Sequence, residues 1–376
     1  MKACLYFGMG LVVLLASCRQ NNQSLSKEPA TVQEYQVYYA TGYTVNRTSD
    51  YTEIKIRDPW DTTRYLQRYV LVGKDKALPV RLPEGILIRT PLQRVVVATS
   101  VHCGVLELLG VRDLLVGVCE SRYIDLDFVK QGVANGKIVD IGEAGAPDVE
   151  RLIELAPDAM ITSPLSNAPY GRVEKTGIPQ IKCVDYMEPT PLGRAEWIRF
   201  QALFFGKEES ADSLFWQTVR AYEEIKALTQ QVKERPSVVT EKKYGAVWYL
   251  PGGKSYMAHF LEDAGATVGK EIDQQVGSVG WPFETVFEKY GDADFWLIKY
   301  NRPRDMSYED LKKEYAPYSK FAAYKNRRIY TCNTAEVSYY EEIPVHPDYL
   351  LKDLVAIFHP ELLPEHQLRY YKAMEN

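Results

Sequence analysis

The feature that most constrains this chain is a long amphipathic run near its middle. Between positions 207 and 234, apolar residues stand at Ala211, Leu214, Phe215, Val219, Tyr222, Ile225, Leu228 and Val232, and Pro236 closes the run. The three-or-four spacing predicts one helix of about 28 residues, roughly 42 Å long at 1.5 Å per residue. A helix of that length runs along one folded unit and reaches a second. On both sides of it the pattern alternates strand, loop and helix. Val95-Val96-Val97-Ala98 is a continuous apolar run of the kind buried on both faces of a parallel sheet. A loop at Thr99–His102, a helix from Val105 to Leu109 and a strand at Leu114–Val118 follow. Val149–Leu155 reads as a helix stopped by Ala156-Pro157-Asp158, with strands at Ala159–Thr162 and Ile181–Val184. Beyond Pro236 the same grammar restarts, with strands at Gly245–Leu250 and Phe295–Lys299 and helices at Ser255–Ala264 and Phe283–Tyr290. The expected fold is α/β: two doubly wound parallel-sheet lobes joined by one long helix, with a cleft where the strand C-termini of both lobes meet.

Residues 35–93 depart from this pattern. Thr52, Ile54 and Ile56 alternate with Glu53, Lys55 and Arg57, and a second run spans Tyr65–Val72, so an antiparallel β addition to the first lobe is expected. At the N-terminus, Met1-Lys2 precedes an apolar run from Leu5 to Ala16, too short to span a bilayer and suited to a secretory signal. Leu15-Ala16-Ser17-Cys18 resembles a bacterial lipobox, making Cys18 the expected lipid acceptor, and the polar stretch Arg19–Pro29 reads as a tether. The expected organisation is a signal peptide at 1–17, a lipidated tether at 18–34, a first lobe at 35–206, a linker helix at 207–235 and a second lobe at 236–376. The expected location is periplasmic, held to a bacterial membrane by lipid alone.

The formal charge of −5 and the lack of a basic stripe argue against a nucleic-acid partner. Of six cysteines, Cys103, Cys119, Cys183 and Cys332 lie beyond the tether, widely spaced and without a CxxC pair, and read as small buried residues, although a periplasm permits a disulfide. The five scattered histidines make a protein-only metal site a poor expectation. Motifs for hydrolases, zinc proteases and nucleotide binding are missing from the chain. No catalytic residue is therefore assigned. An enzyme, a bare metal-ion binder or a ligand-free interaction protein on the same scaffold are the rival classes.

Several segments in order carry a resemblance: Arg94–Val97 through Leu108-Leu109-Gly110, Gly117-Val118, Val149-Glu150-Arg151-Leu152 through Ala156-Pro157-Asp158, and Gly177-Ile178-Pro179-Gln180. Trp248 to Tyr256, Phe321 to Tyr330 and Phe358-His359-Pro360-Glu361 continue it. From about residue 94 onward the chain resembles the periplasmic substrate-binding proteins that serve ABC importers of cobalamin, haem and ferric siderophores. The resemblance implies a monomer that binds a small metal complex without a cofactor of its own and hands it to a permease dimer. It implies that Glu150 and Glu284, one per lobe, dock on the permease. Read from the residues alone, both are also carboxylates suited to helix N-termini.

Candidate ligand contacts lie in the loops after strands. The aromatic ones are Tyr123, Tyr170, Tyr186, Trp248, Tyr249, Tyr256 and Trp281, whose flat faces suit a macrocycle or aromatic chelate. Arg122, Arg172, Lys254 and Arg302 are the cations available to neutralise a ligand, which tilts the expectation toward an anionic iron complex. His102, where a loop meets a helix, and Tyr123 in the next loop are candidates to ligate haem iron or approach a bound complex, with capping or packing as the alternative for the histidine.

Overall fold

The computed structural model describes residues 33–165, 171–267 and 274–375. The signal, Cys18 and most of the tether fall outside the described residues, as does Tyr170. The first lobe is a five-stranded, wholly parallel sheet in the order Gln180–Lys182, Ala159–Thr162, Val95–Val97, Leu115–Val118, Val139–Asp140. Its central strand, Val95–Val97, is buried throughout, as expected of a β-branched run covered on both faces.

The second lobe holds a four-stranded sheet in the order Val238–Thr240, Phe295–Tyr300, Ile329–Asn333, Lys372–Ala373. The first three strands are parallel and the last is antiparallel. The sequence expectation needs correcting here. Val247–Pro251 belongs to a separate antiparallel sheet with Lys243–Tyr244 and Ser278–Trp281, and the parallel sheet opens instead with Val238–Thr240. That three-residue run is fully buried, but Glu241-Lys242-Lys243 follows it at once, and so short a strand leaves little periodicity to read.

The linker helix spans Glu208–Leu228, 21 residues, shorter than the spacing suggests. It yields to a 3-10 turn at Thr229–Gln231, where the Thr229 hydroxyl donates to the carbonyls of Lys226 and Asp263. Its apolar face, including Ala211, Phe215, Val219 and Tyr222, belongs to one hydrophobic core with residues of both sheets, the helix Trp197–Phe205 and the helix Pro347–Phe358. This cluster ties the two lobes together, while the opposite face of each sheet carries a smaller core of its own, around Val96 and Met160 in the first lobe and around Trp248 and Trp296 in the second.

The N-terminal addition is a five-stranded sheet, Gln33–Tyr35, Tyr43–Arg47, Thr52–Arg57, Tyr65–Gly73 and Ile86–Thr90, in sequence order. Its last pair is parallel, unlike the expected all-antiparallel meander, and pairing begins two residues earlier than the expected tether boundary. Buried carboxylates fasten it to the first lobe. Glu196 accepts from the backbone N–H groups of Tyr38, Tyr39 and Ala40, and Glu188 from those of Thr41 and Gly42 and from the Trp197 indole. The Tyr69 hydroxyl donates to the Gln180 carbonyl and accepts from the Lys182 N–H, covering the free edge of the first lobe's sheet.

Candidate functional site

A cavity of about 580 Å³ opens where the strand C-termini of both lobes converge. The first lobe contributes Ser100 and Tyr123, from the ends of Val95–Val97 and Leu115–Val118. The second lobe contributes Glu241 and Lys242 after Val238–Thr240, Tyr300 and Asn301 at the end of Phe295–Tyr300, and Thr334 after Ile329–Asn333. Tyr244, Tyr249 and Ser278 come from the three-stranded sheet, and Tyr340 and Glu341 from the short helix Tyr339–Glu342. This is the position at which doubly wound sheets bind ligands. A larger open groove of about 1120 Å³ lies around Val232–Pro236 and Phe358–Leu362. It touches Asp294, Phe295 and Arg328, at the beginnings of strands, so it faces away from the cleft.

Tyrosine dominates the cleft wall. Tyr123, Tyr244, Tyr249 and Tyr340 are exposed, between 48% and 85%, and present rings and hydroxyls to the opening. Tyr300 is different: its hydroxyl accepts from the Met306 N–H and lies 3.3 Å from Asp305, so it shapes the wall.

Each described cation lining the cleft meets a carboxylate. The Lys299 ammonium donates to Glu241, and Lys242 to Glu314. Burial works to lower the Lys299 pKa, but the Glu241 charge outweighs it and holds the ammonium above the usual lysine range. Beside the main cavity a smaller one of about 320 Å³ is lined by Thr99, Ser163, Asp185, Tyr186 and Arg194, among others. There Arg194 Nε sits 3.0 Å from Asp185 Oδ2 and its guanidinium lies 5.1 Å from the centre of the Tyr256 ring. Burial pushes Asp185 up, yet the His102 hydrogen bond and the Arg194 charge overcome this and leave it at about 2.

Of the sequence candidates, Tyr123 and Tyr249 line the main cavity and Tyr186 the smaller one. His102 must be corrected. It is fully buried, with Nδ1 3.1 Å from the Thr99 hydroxyl and Nε2 3.3 Å from Asp185, so both ring nitrogens are engaged below the surface. Trp248 must be corrected too: its fully buried ring stacks on Trp296 and its indole N–H donates to the Thr240 carbonyl. Trp281 is its cross-strand partner and also packs on the second lobe's core. Tyr256 lies against Arg194 and Phe260 with its hydroxyl enclosed.

The cationic candidates are engaged or lie off the cleft. Arg302 turns 2.9 Å onto Glu314, and Arg122 sits 2.8 Å from Glu143 with its guanidinium over the exposed Tyr123 ring. Lys254 and Arg172 are exposed and line neither cavity. Glu150 and Glu284 are exposed, each the second residue of its helix, Val149–Leu155 and Phe283–Tyr290. Sequence reasoning missed Tyr244, Lys299 and the Glu241 carboxylate. Tyr244 sits in a Lys-Lys-Tyr-Gly turn, and the Lys299 partner is 58 residues away.

The four cysteines are free and buried, and burial pushes Cys119 and Cys332 up to about 12, which makes them inert. Among the described residues no three His, Cys, Asp or Glu side chains converge to hold an ion, and no helix is long and apolar enough to cross a membrane.

The family profile described as "Periplasmic binding protein" matches residues 95–335. This chain belongs to that family. The match covers the first lobe's sheet, the three parallel strands of the second lobe's sheet and the linker helix, and leaves out the N-terminal β sheet and the strand Lys372–Ala373. An uncharacterized lipoprotein of Methanocaldococcus jannaschii is 25% identical over 323 residues, covering 81% of this chain and 75% of the relative. Among solved structures, a periplasmic heme-binding protein of Roseiflexus has a TM-score of 0.58 at 18% identity, covering 72% of this chain and 99% of that one. A possible iron-binding protein of Staphylococcus epidermidis has a TM-score of 0.56 at 20% identity, covering 72% of this chain and 100% of that one. At these identities the two structures establish the fold of this periplasmic binding protein, two lobes with a long connecting helix.

Proposed function

We propose that this periplasmic binding protein is the lipid-anchored substrate-binding component of an ABC importer. It captures a small metal complex (a ferric siderophore, haem or cobalamin) between its lobes and presents it to a permease dimer. The observation that carries the reading is the interlobe cavity walled by Tyr123, Tyr244, Tyr249 and Tyr340 at the strand C-termini of both lobes. Four exposed aromatic rings on one opening suit a flat or ring-shaped chelate, with hydroxyls to fix its orientation. Support comes from the names of relatives, one named a lipoprotein and two solved ones named as heme-binding and possible iron-binding. The work is binding without chemistry.

Glu150 and Glu284 stand exposed in the first turn of one helix on each lobe, where paired charges set the register of a docked partner more than its affinity. Calorimetric titration with ferric trihydroxamate, ferric tris-catecholate, haem and cyanocobalamin tests the cargo. Replacing Tyr244 and Tyr249 together with alanine is expected to weaken ligand binding about 5- to 150-fold, two ring contacts' worth. Unchanged affinity in that double variant would rule the cavity out as the binding site. Charge reversal at Glu150 and Glu284 is expected to block uptake in cells while titration of the purified variant stays as it was.

A further inference from the structure

Building on the reading above, we infer that the cleft selects a metal complex carrying no net negative charge. The geometry makes the case through the partners of three cations. Lys299 and Lys242 line the main cavity and Arg194 the smaller one beside it. Lys299 is bonded to Glu241, Lys242 to Glu314, and Arg194 to Asp185. All six side chains are more than two-thirds buried, with side-chain exposures from 5% to 30%. In such surroundings a charge that loses its partner is left poorly solvated, so the pairs resist being drawn apart.

A polyanionic complex entering this cleft has two choices. It can pull Lys299 away, stranding the Glu241 carboxylate, or it can lie against an intact pair and face Glu241 at close range. Glu341, a further carboxylate on the cavity lining, adds to the mismatch. The tyrosine rings act in the same direction, because the face of an aromatic ring is its negative side and attracts cations. Phenol hydroxyls, by contrast, donate to and accept from neutral amide, hydroxamate or corrin side-chain groups without needing charge. Discrimination between iron complexes of similar size then follows from mismatch with the wrong charge as much as from contacts with the right one.

The test titrates the full-length chain, purified in detergent, with four probes. Two are uncharged, a ferric trihydroxamate and cyanocobalamin; two are anionic, a ferric tris-catecholate of charge −3 and haem with its propionates. At least one uncharged probe is expected to bind about 100-fold or more tightly than either anion. Glu241→Gln, which releases the Lys299 ammonium, is expected to strengthen tris-catecholate binding about tenfold or more. The double variant Glu241→Gln with Lys299→Gln returns the pair to neutrality and is expected to restore discrimination against the anion, which separates charge from any change in folding. Equal or tighter binding of either anion by the natural sequence overturns the inference and leaves the cargo-capture reading standing. Binding of none of the four by the folded chain overturns both.

Discussion

Gly104 offers a sharp test of how rigidly the lobes are joined. It lies in the helix Ser100–Leu108 of the first lobe, and a Cβ built there would stand 2.3 Å from the backbone carbonyl oxygen of Glu341 in the second lobe. In a free helix, Gly→Ala is stabilising by about 1 kcal/mol, because glycine has the larger backbone entropy to lose. Here the methyl needs roughly an ångström more room for ordinary van der Waals contact, and its nearest neighbour is backbone that cannot rotate aside. Overpacking of this kind costs about 1–3 kcal/mol, so the net effect of Gly104→Ala is expected to be a loss of about 0–2 kcal/mol. Urea unfolding measures it, with the m-value unchanged if only stability shifts. Ligand affinity is expected to fall as well, since the displaced carbonyl belongs to Glu341, whose neighbour Tyr340 lines the cleft. A gain in stability of about 1 kcal/mol would refute the reasoning: it would mean that the second lobe already stands off from this helix in solution.

Three further outcomes are expected. Asp185 is held at about 2 against an ordinary value of 3.8, so its ionised form stabilises the fold above about pH 4, and that share is lost as the pH falls toward 2. The loss amounts to about 2 kcal/mol, and Asp185→Asn is expected to flatten this part of a thermal-stability profile against pH. Tyr69→Phe removes the hydroxyl that pairs with the Gln180 carbonyl and Lys182 N–H, and is expected to cost about 1–3 kcal/mol in denaturant unfolding. Glu196→Ala strips three backbone N–H groups of their acceptor and leaves the buried Arg199 guanidinium with Asp212 and the Gln36 carbonyl alone; a loss of about 3–5 kcal/mol is expected, with proteolysis showing release of the N-terminal sheet first.

The architecture was largely legible, and particular residues show why. Val95-Val96-Val97 admits few readings other than a doubly covered strand, and the spacing from Ala211 to Leu228 admits only a helix. Where the reading failed, the missing information was three-dimensional. Trp248 looks like a loop aromatic because Pro251-Gly252-Gly253 follows it, yet alternation within Val247–Pro251 sends its ring inward and leaves Tyr249 outside. Arg302 looks like a free cation because Glu314 is 12 residues away, across a turn and most of a helix. His102 stands three residues beyond Thr99, a local spacing that suggests capping, but its other partner, Asp185, is 83 residues distant. Charge pairing across such separations leaves no periodic trace, so the cleft's chemistry could be assigned only once the strands were in place.

The core that runs unbroken from the N-terminal sheet through the linker helix into Val238, Phe260 and Leu297 bears on how this protein lets go. A receptor that snaps shut stores part of its grip in the closing motion and loses that part when it reopens. On the proposed reading, a receptor whose two halves are tied by one shared cluster, as here, holds its cargo mainly by direct contact, and its on-rate carries little delay for a rare open form. On the same reading, emptying the cleft falls to the docked partner, as a wedge applied across the lobes at their exposed helix tips.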